Sequence, residues 1–338
     1  MTTYYLPQAE LRGALGEQGE VPTFAPAPTR KLAWMDCLGP EPSLDALAQP
    51  RPAQSPKGFF LPAAESVGRY GARSAAAAVE APPVVLLGVR ACELRARDYL
   101  DEVFLSGDFQ DDPYRRRREG TTIVSCDCVD CTETCCCVLV GGGPFATGGY
   151  DVNLTPVESG YVADVATDRG RQWLGADRLK RLAEASAAQL ARRDALRREM
   201  VERLRKQNAE FGFSADDRKQ PALPNDNDDA WQVFAADCVE CGACTNICPT
   251  CHCFYLYDQV LGPEQFERLR TWDSCLLSSY HRMAGGAGMK LTPRPRLFSR
   301  LANRVLHKFA YSPQQYGRLG CVGCGRCTCV GRVGTSPN

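Results

Sequence analysis

The sequence predicts an α+β chain: an N-terminal mixed α/β domain, a long helical connector, and a small cysteine-rich C-terminal domain with a large insert. Three observations carry this. The aliphatic stretch VVLLGV (84–89) runs straight into a helical pattern over 91–105, the strand-to-helix succession of an α/β layer. Between 177 and 213 the composition turns to Leu, Ala, Arg and Glu with interleaved charge, which suits one or two long helices. Nineteen cysteines, a high and odd number, fall mostly in three concentrations separated by these segments. The expected divisions are 1–176, 177–213, a polar linker at 214–231, and 232–338 with an insert over 254–320.

Residues 1–80 are rich in Pro and Ala and carry few periodic signals. SPKGFFLP (55–62) reads as a docked loop or short strand, and Cys37 as a buried structural thiol. The strand at 84–89 is aliphatic throughout and is expected to be buried on both faces. The helix after it aligns Leu94, Tyr99, Leu100 and Val103, and Cys92 sits at the strand-to-helix turn, where ligands gather in such folds. The arginines 115–118 read as a solvated basic face rather than a dock for an acidic partner or a phosphate.

A second strand, TTIVSC (121–126), leads into Cys126, Cys128, Cys131, Cys135, Cys136 and Cys137. So many thiols close together would oxidise or scramble if free, so metal is expected, although the spacing matches no standard run. GGGP (141–144) lacks the order of a phosphate-cradling loop and reads as a turn. Residues 150–166 alternate as a hairpin turning at Glu158-Ser159-Gly160. The helices at 177–213 are expected to bridge the two halves, with Gly212 ending them.

The chain is organised around the run at 238–253. Its first four cysteines, Cys238, Cys241, Cys244 and Cys248 before Pro249, follow C-x2-C-x2-C-x3-C-P, the bacterial ferredoxin spacing for a [4Fe-4S] cluster. The fourth cysteine of such a run ligates the other cluster of a pair, so a second run is required. It is found as Cys321, Cys324 and Cys327 in GCVGCGRCTCVG. A triplet occurring twice favours iron–sulfur over a structural zinc ribbon, which uses paired CxxC, and over a disulfide framework. The C-terminal part is therefore expected to be ferredoxin-like, with two [4Fe-4S] clusters. Cys275 in RTWDSC reads equally as a ligand or as a buried thiol beside a cluster. Of His252, His281 and His307, only His252 is placed to touch cluster chemistry, through a hydrogen bond.

Composition bounds the rest. Lysine plus arginine equals aspartate plus glutamate at 40 each, so the balance asks for neither nucleic acid nor an anionic membrane. The N-terminus has no apolar core of a signal peptide and the longest apolar run, at 82–89, is far short of a transmembrane segment. A reducing cytoplasm, where thiolates stay available to metal, is the expected compartment. No G-x-G-x-x-G follows a strand, and no flavin loop, carboxylate pair or triad is present, so no flavin, nucleotide or catalytic residue is expected in this chain.

SPKGFFLP, GVRACELRA, the SC…CCC pattern with GGGP and YDVNLT, CVECGACTNICPTCHCF, RTWDSC and GCVGCGRC together resemble, in order, the beta subunit of cytoplasmic sulfhydrogenases and the related A subunit of anaerobic sulfite reductases. The resemblance covers about 55–329. It implies an anaerobic electron-transfer subunit passing electrons between a flavin-containing, NAD(P)H-binding gamma-like subunit and a hydrogenase or reductase catalytic subunit. It also implies that Cys92, Cys126, Cys135 and Cys137 hold a third [4Fe-4S] cluster, leaving Cys128, Cys131 and Cys136 as extras. The family closes its second run with C-x3-C-P, whereas here Cys327 is followed by Cys329 and no proline. If Cys329 supplies the missing ligand, one cluster is held by Cys238, Cys241, Cys244 and Cys329, and the other by Cys321, Cys324, Cys327 and Cys248. Cys251 and Cys253 are the substitutes for Cys329. The rival reading is a stand-alone cysteine-rich reductase acting on a sulfur compound or disulfide at the N-terminal cluster.

Overall fold

The computed structural model describes residues 2–26, 44–71, 81–211, 225, 229–280, 282–283 and 292–331, with the backbone of 35–37. Most of the expected linker at 214–231, all but the first residue of MAGGAGM, His281 and the side chain of Cys37 lie outside the described residues.

The strands are β1 (Thr2–Pro7), β2 (Thr23–Pro26), β3 (Met35–Cys37), β4 (Ala64–Gly71), β5 (Val84–Val89), β6 (Thr121–Cys126), β7 (Val152–Val157), β8 (Gly160–Val165), β9 (Phe254–Gly262) and β10 (Gln265–Trp272). Seven of them form one mixed sheet in the order β1-β8-β7-β6-β5-β2-β3. The central pairings β2-β5, β5-β6 and β6-β7 are parallel and the outer ones antiparallel. The pleat of β5 and β6 decides what each face carries. Val85, Leu87, Val124 and Cys126 point into a core with Leu6, Leu11, Leu154, Ala163 and Trp173. Leu86, Val89 and Ile123 point the other way, under the Ala91–Leu105 helix. Gly88, at φ 79°, is the extra residue where the register slips between Leu87 and Val89, and it resets the alternation so that Val89 joins Leu86.

That helix starts in a capping box: Glu93 Oε2 accepts from the Arg90 backbone N–H at 2.8 Å. The fully buried Arg90 guanidinium donates to the carbonyls of Leu47, Gln49, Cys126 and Asp127 and so ties the helix start to the end of β6. The predicted hairpin is β7-β8, turning at Glu158 in the left-handed region at φ 46°.

Three expectations are corrected. The N-terminal stretch without periodic signal supplies β1, the Gln8–Gly16 helix and β2, and β1 pairs with β8. Residues 57–60 form a helical turn, with Phe60 and Leu61 buried, rather than a loop or strand. The arginine run lies on the Asp112–Gly120 helix, where Arg117 and Arg118 reach Glu65 and Asp101 instead of bulk water. The Ala187–Gln207 helix lies along β7 and β8, and Leu204 near its end lines a cavity with Gly323 and Cys324 of the C-terminal part. Only Met200 and Leu204 on it are fully buried, and its arginines do the anchoring: Arg197 donates to Asp127 at 2.8 Å and Arg193 to Asp164 at 3.2 Å.

The remaining strands form a small sheet, β4-β10-β9, in which β4 from the N-terminal part pairs with β10 of the insert. Arg270 on β10 is buried against Glu65 on β4, at 2.6 Å. The insert is thus joined to the N-terminal half by hydrogen bonds and a buried ion pair.

Candidate metal centres

Both cysteine runs fold as loops ending in a short helix. In the first, Gly242 at φ 69° turns the chain into the Ala243–Asn246 helix that carries Cys244. In the second, Gly323 and Gly325 hold left-handed backbone, at φ 64° and 69°, before the Arg326–Gly331 helix that carries Cys327. The two short helices pack against each other, so the runs meet as the spacing requires. Cys244 feels the charges of Cys327, Cys238 and Cys241, whereas Cys321 and Cys324 feel that of Cys248. Cys248 and Cys324 are buried, Cys238, Cys244, Cys321 and Cys327 half-buried, and Cys241 and Cys329 exposed.

The insert supplies positive charge to these thiols. Lys308 is buried and donates to Cys248 Sγ at 3.4 Å, Thr250 Oγ1 at 2.8 Å and the Gly320 carbonyl at 2.7 Å. Desolvation opposes its charge, but the thiols of Cys248, Cys251 and Cys321 hold it protonated. Arg304 lies beside the thiols of Cys251, Cys244, Cys248 and Cys327 and donates to the Cys244 carbonyl at 3.4 Å. Lys57, by contrast, has its pKa lowered by burial; it donates to the carbonyls of Asn246 and Cys251 and stands 3.8 Å over the Trp272 ring. The Cys248 thiol is held well below its ordinary range by a hydrogen bond from Cys251 and then by Lys308. Cys275 is a buried thiol that hydrogen-bonds Cys253 and lowers it to about 6.

The N-terminal thiols divide differently from the resemblance. Cys92, Cys128, Cys131, Cys135 and Cys137 line one cavity, with Arg51 and Leu204, and the second run closes it with Gly323 and Cys324. Cys126 is not in it. The β6 pleat puts that side chain on the face of Val124, and its Sγ lies 3.6 Å from the Leu47 carbonyl inside the apolar core. Cys128, two residues on and past the end of the strand, is the thiol the chain brings round to Cys135 and Cys137. Cys329 has neighbours from the N-terminal part. Its Sγ lies 3.0 Å from Thr134 Oγ1 and 3.7 Å from the Arg51 guanidinium, against the N-terminal cysteine loop.

A family model described as "4Fe-4S dicluster domain" matches residues 237–334, which span both runs. Sulfhydrogenase 2 subunit beta of Pyrococcus furiosus is 29% identical over 253 residues, 74% of this chain and 71% of that one. The chain is a sulfhydrogenase beta-subunit homologue. Its C-terminal part is a 4Fe-4S dicluster domain, which implies two [4Fe-4S] clusters. No solved structure matches the chain.

The donor chemistry of the homologue fits that cofactor. Thiolates crowded into a buried site repel, and a buried lysine needs anionic partners; a negatively charged thiolate-bound cluster meets both demands. Among the described residues no three Cys, His, Asp or Glu side chains close on a single metal ion. Several contributors were not singled out from the sequence. Lys308 and Arg304 were visible only as part of a basic stretch at 290–308. Arg326, inside CGRC, is fully buried, paired with the buried Glu93, and donates to the carbonyls of Pro52, Ala53 and Gln54. Gln207 Nε2 donates to the carbonyls of Thr132, Glu133 and Cys135, pinning the N-terminal cysteine loop from the end of the long helix. The signal for Cys128 over Cys126 was in the sequence: TTIVSC alternates, and its last residue falls in phase with Val124.

Proposed function

We propose that the chain is a cytoplasmic electron-transfer subunit of a sulfhydrogenase-like complex, relaying single electrons between a flavin- and NAD(P)H-binding subunit and a hydrogenase or sulfur-compound reductase. The observation that carries this is the shared wall: Cys324 of the second run lines the N-terminal thiol cavity. Redox groups that share a wall suit a relay, whereas structural clusters need no such adjacency. In this reading the dicluster cysteines hold two cubanes, and Cys92, Cys128, Cys135 and Cys137 hold a third. Bound clusters supply one-electron steps. The chain's own residues set their charge environment through Lys308, Arg304 and Arg51 and keep water from Cys92, Cys248 and Cys324, while the exposed Cys241 leaves one end open to a partner. Among the described residues no helix is long and apolar enough to cross a membrane.

The test is anaerobic purification with iron analysis and reduction by a chemical donor. About twelve irons per chain, at four per cubane, and rapid handover of electrons to a flavoprotein are expected. Cys128→Ala should remove about four irons while Cys126→Ala removes none. A folded chain without iron refutes the reading.

One observation favours a reductase in its own right. Gly141, Gly142 and Gly143 border a second cavity of about 530 Å³ beside the Ala91–Leu105 helix, with Arg95 and Arg318 in its wall. Arg95 Nη1 has no partner there, and its guanidinium feels the charges of Cys137 and Cys92. Reduction of polysulfide, sulfite or a disulfide by the purified chain without any partner would establish that reading over the relay.

A further inference from the structure

A second run with ferredoxin spacing would put its fourth thiol at position 331, which is Gly331. The ferredoxin-spaced positions of the two runs therefore supply seven of the eight ligands that a pair of cubanes needs, and the other two thiols of the first run are engaged elsewhere, Cys251 on Cys248 and Cys253 on Cys275. Cys329, the nearest in sequence, is turned onto Thr134 and Arg51. Cys136 is set apart from its two neighbours. In the tripeptide Cys135-Cys136-Cys137 the outer two thiols line the N-terminal cavity, and the middle one does not. Cys136 instead lies against the second run: its N–H donates to the Gly323 carbonyl at 2.8 Å. A Cβ on Gly323 would stand 2.5 Å from the Cys136 carbonyl oxygen, and one on Gly325 would stand 2.0 Å from that of Thr134. The two cysteine loops thus touch backbone to backbone, and only glycine at 323 and 325 permits it.

We propose that Cys136 is a cluster ligand lent by the N-terminal domain, completing a cubane with Cys248, Cys321 and Cys324, and that Cys327 serves the other cubane with Cys238, Cys241 and Cys244. The packing agrees with both halves of the assignment. Cys136 is hydrogen-bonded to Gly323, which stands between Cys321 and Cys324, whereas Cys327 rides on the Arg326–Gly331 helix, which packs against the Ala243–Asn246 helix of Cys244. The alternation of CCC then makes one strand of chain a ligand for two sites, with Cys135 and Cys137 serving the N-terminal cavity and Cys136 the second run.

The inference rests on the two-cluster reading of the C-terminal domain, and the experiment separates their failures. The full chain is purified anaerobically as Cys136→Ala, Cys136→Ser and Cys329→Ala, with iron and sulfide analysis and electron paramagnetic resonance of oxidised and reduced samples. An oxidised cubane is silent and a three-iron cluster is not. Cys136→Ala is expected to lose about one iron in four from a single cubane and to show the three-iron signal when oxidised. Cys136→Ser, close to the parent in size, is expected to stay folded with one cluster's reduced spectrum altered. Cys329→Ala is expected to match the parent in iron and spectrum. Parental spectra in both Cys136 variants, or a three-iron signal in Cys329→Ala, overturn the assignment and leave the dicluster domain intact. A folded parent chain without iron overturns the function instead.

Discussion

Replacing Lys308 tests whether the buried cation of the insert tunes the cluster that Cys248 serves. Its Nζ lies 3.4 Å from Cys248 Sγ. At an effective dielectric near 20, a unit charge at that distance is worth up to about 5 kcal/mol. The reducing electron spreads over a cubane rather than residing on one sulfur, so roughly half is felt, about 2–3 kcal/mol. At about 59 mV per tenfold for one electron, that is about 100 mV. Reduction makes the cluster more negative, and the lysine favours the reduced form. Lys308→Met should therefore move one midpoint about 100 mV more negative. Lys308→Gln, which keeps a donor for Thr250 Oγ1 and the Gly320 carbonyl but not the charge, should move it similarly. The assay is a redox titration followed by the resonance signal of the reduced cluster. A midpoint within about 20 mV of the parent in both variants, against the 100 mV derived from Coulomb's law, refutes the assignment of Lys308 as a charge partner. A parental Gln variant with a shifted Met variant would show that the hydrogen bond, not the charge, does the tuning.

Gly323→Ala should destabilise the chain by more than about 2 kcal/mol, because a left-handed alanine is added to a 2.5 Å approach to the Cys136 carbonyl; an unchanged melting temperature would contradict the loop docking. Arg326→Met leaves the Glu93 carboxylate buried without its partner and should cost about 3–5 kcal/mol, read as a lower melting temperature or loss of folded protein, whereas a parental melting temperature would contradict the buried pair. His252 is packed among Tyr99, Phe104 and His307, and burial lowers it to about 4. Below pH 6.5 the unfolded chain binds a proton there that the folded chain refuses, so stability falls by about 1.4 kcal/mol per pH unit down to the folded value. Unfolding free energies from urea titrations at pH 7.5 and 5.5 should therefore differ by about 1 kcal/mol more in the parent than in His252→Phe, and equal differences would show that the imidazole is not held neutral.

The parts that the sequence made legible share one property: their signal is local. The aliphatic runs at 84–89 and 121–126, the hairpin at 152–165 and the two triplets declare themselves within a few residues, and the structure forms β5, β6, β7-β8 and two facing loops there. The misread parts depend on distant partners. TTYYLP is a strand because it pairs with β8 more than 150 residues later. The β4 strand exists through its pairing with β10, across a comparable separation. On the long helix the sequence shows interleaved charge without its partners, and the structure supplies them: Arg193 and Arg197 find Asp164 and Asp127 in an otherwise buried polar network. In the candidate site the ligand types were legible and their grouping was not. Which way a cysteine faces depends on strand phase for Cys126 and on loop packing for Cys136 and Cys329.

The grouping explains why the N-terminal and C-terminal cysteines belong in one chain. A ferredoxin pair alone closes on itself, each run lending a thiol to the other. Here the second run is too short to return the loan, with Gly331 where a cysteine is required. The N-terminal loop fills the gap because the second run docks on it through Gly323 and Gly325, and Gln207 and Asn208 fix the same loop from behind by holding the Cys135 carbonyl. A relay needs its groups at set separations, and a thiolate shared between domains sets one separation by covalent geometry instead of by surface packing. Cys241 of the first run is exposed, as is Val239 two residues before it, whereas Cys248, Cys324, Cys92 and Cys137 are buried. Electrons moving between the second run and the N-terminal cavity can cross at Cys324, which lines that cavity, as well as at Cys136, so loss of the Cys136 thiolate should slow transfer between the two ends without abolishing it and leave reduction at the exposed end intact.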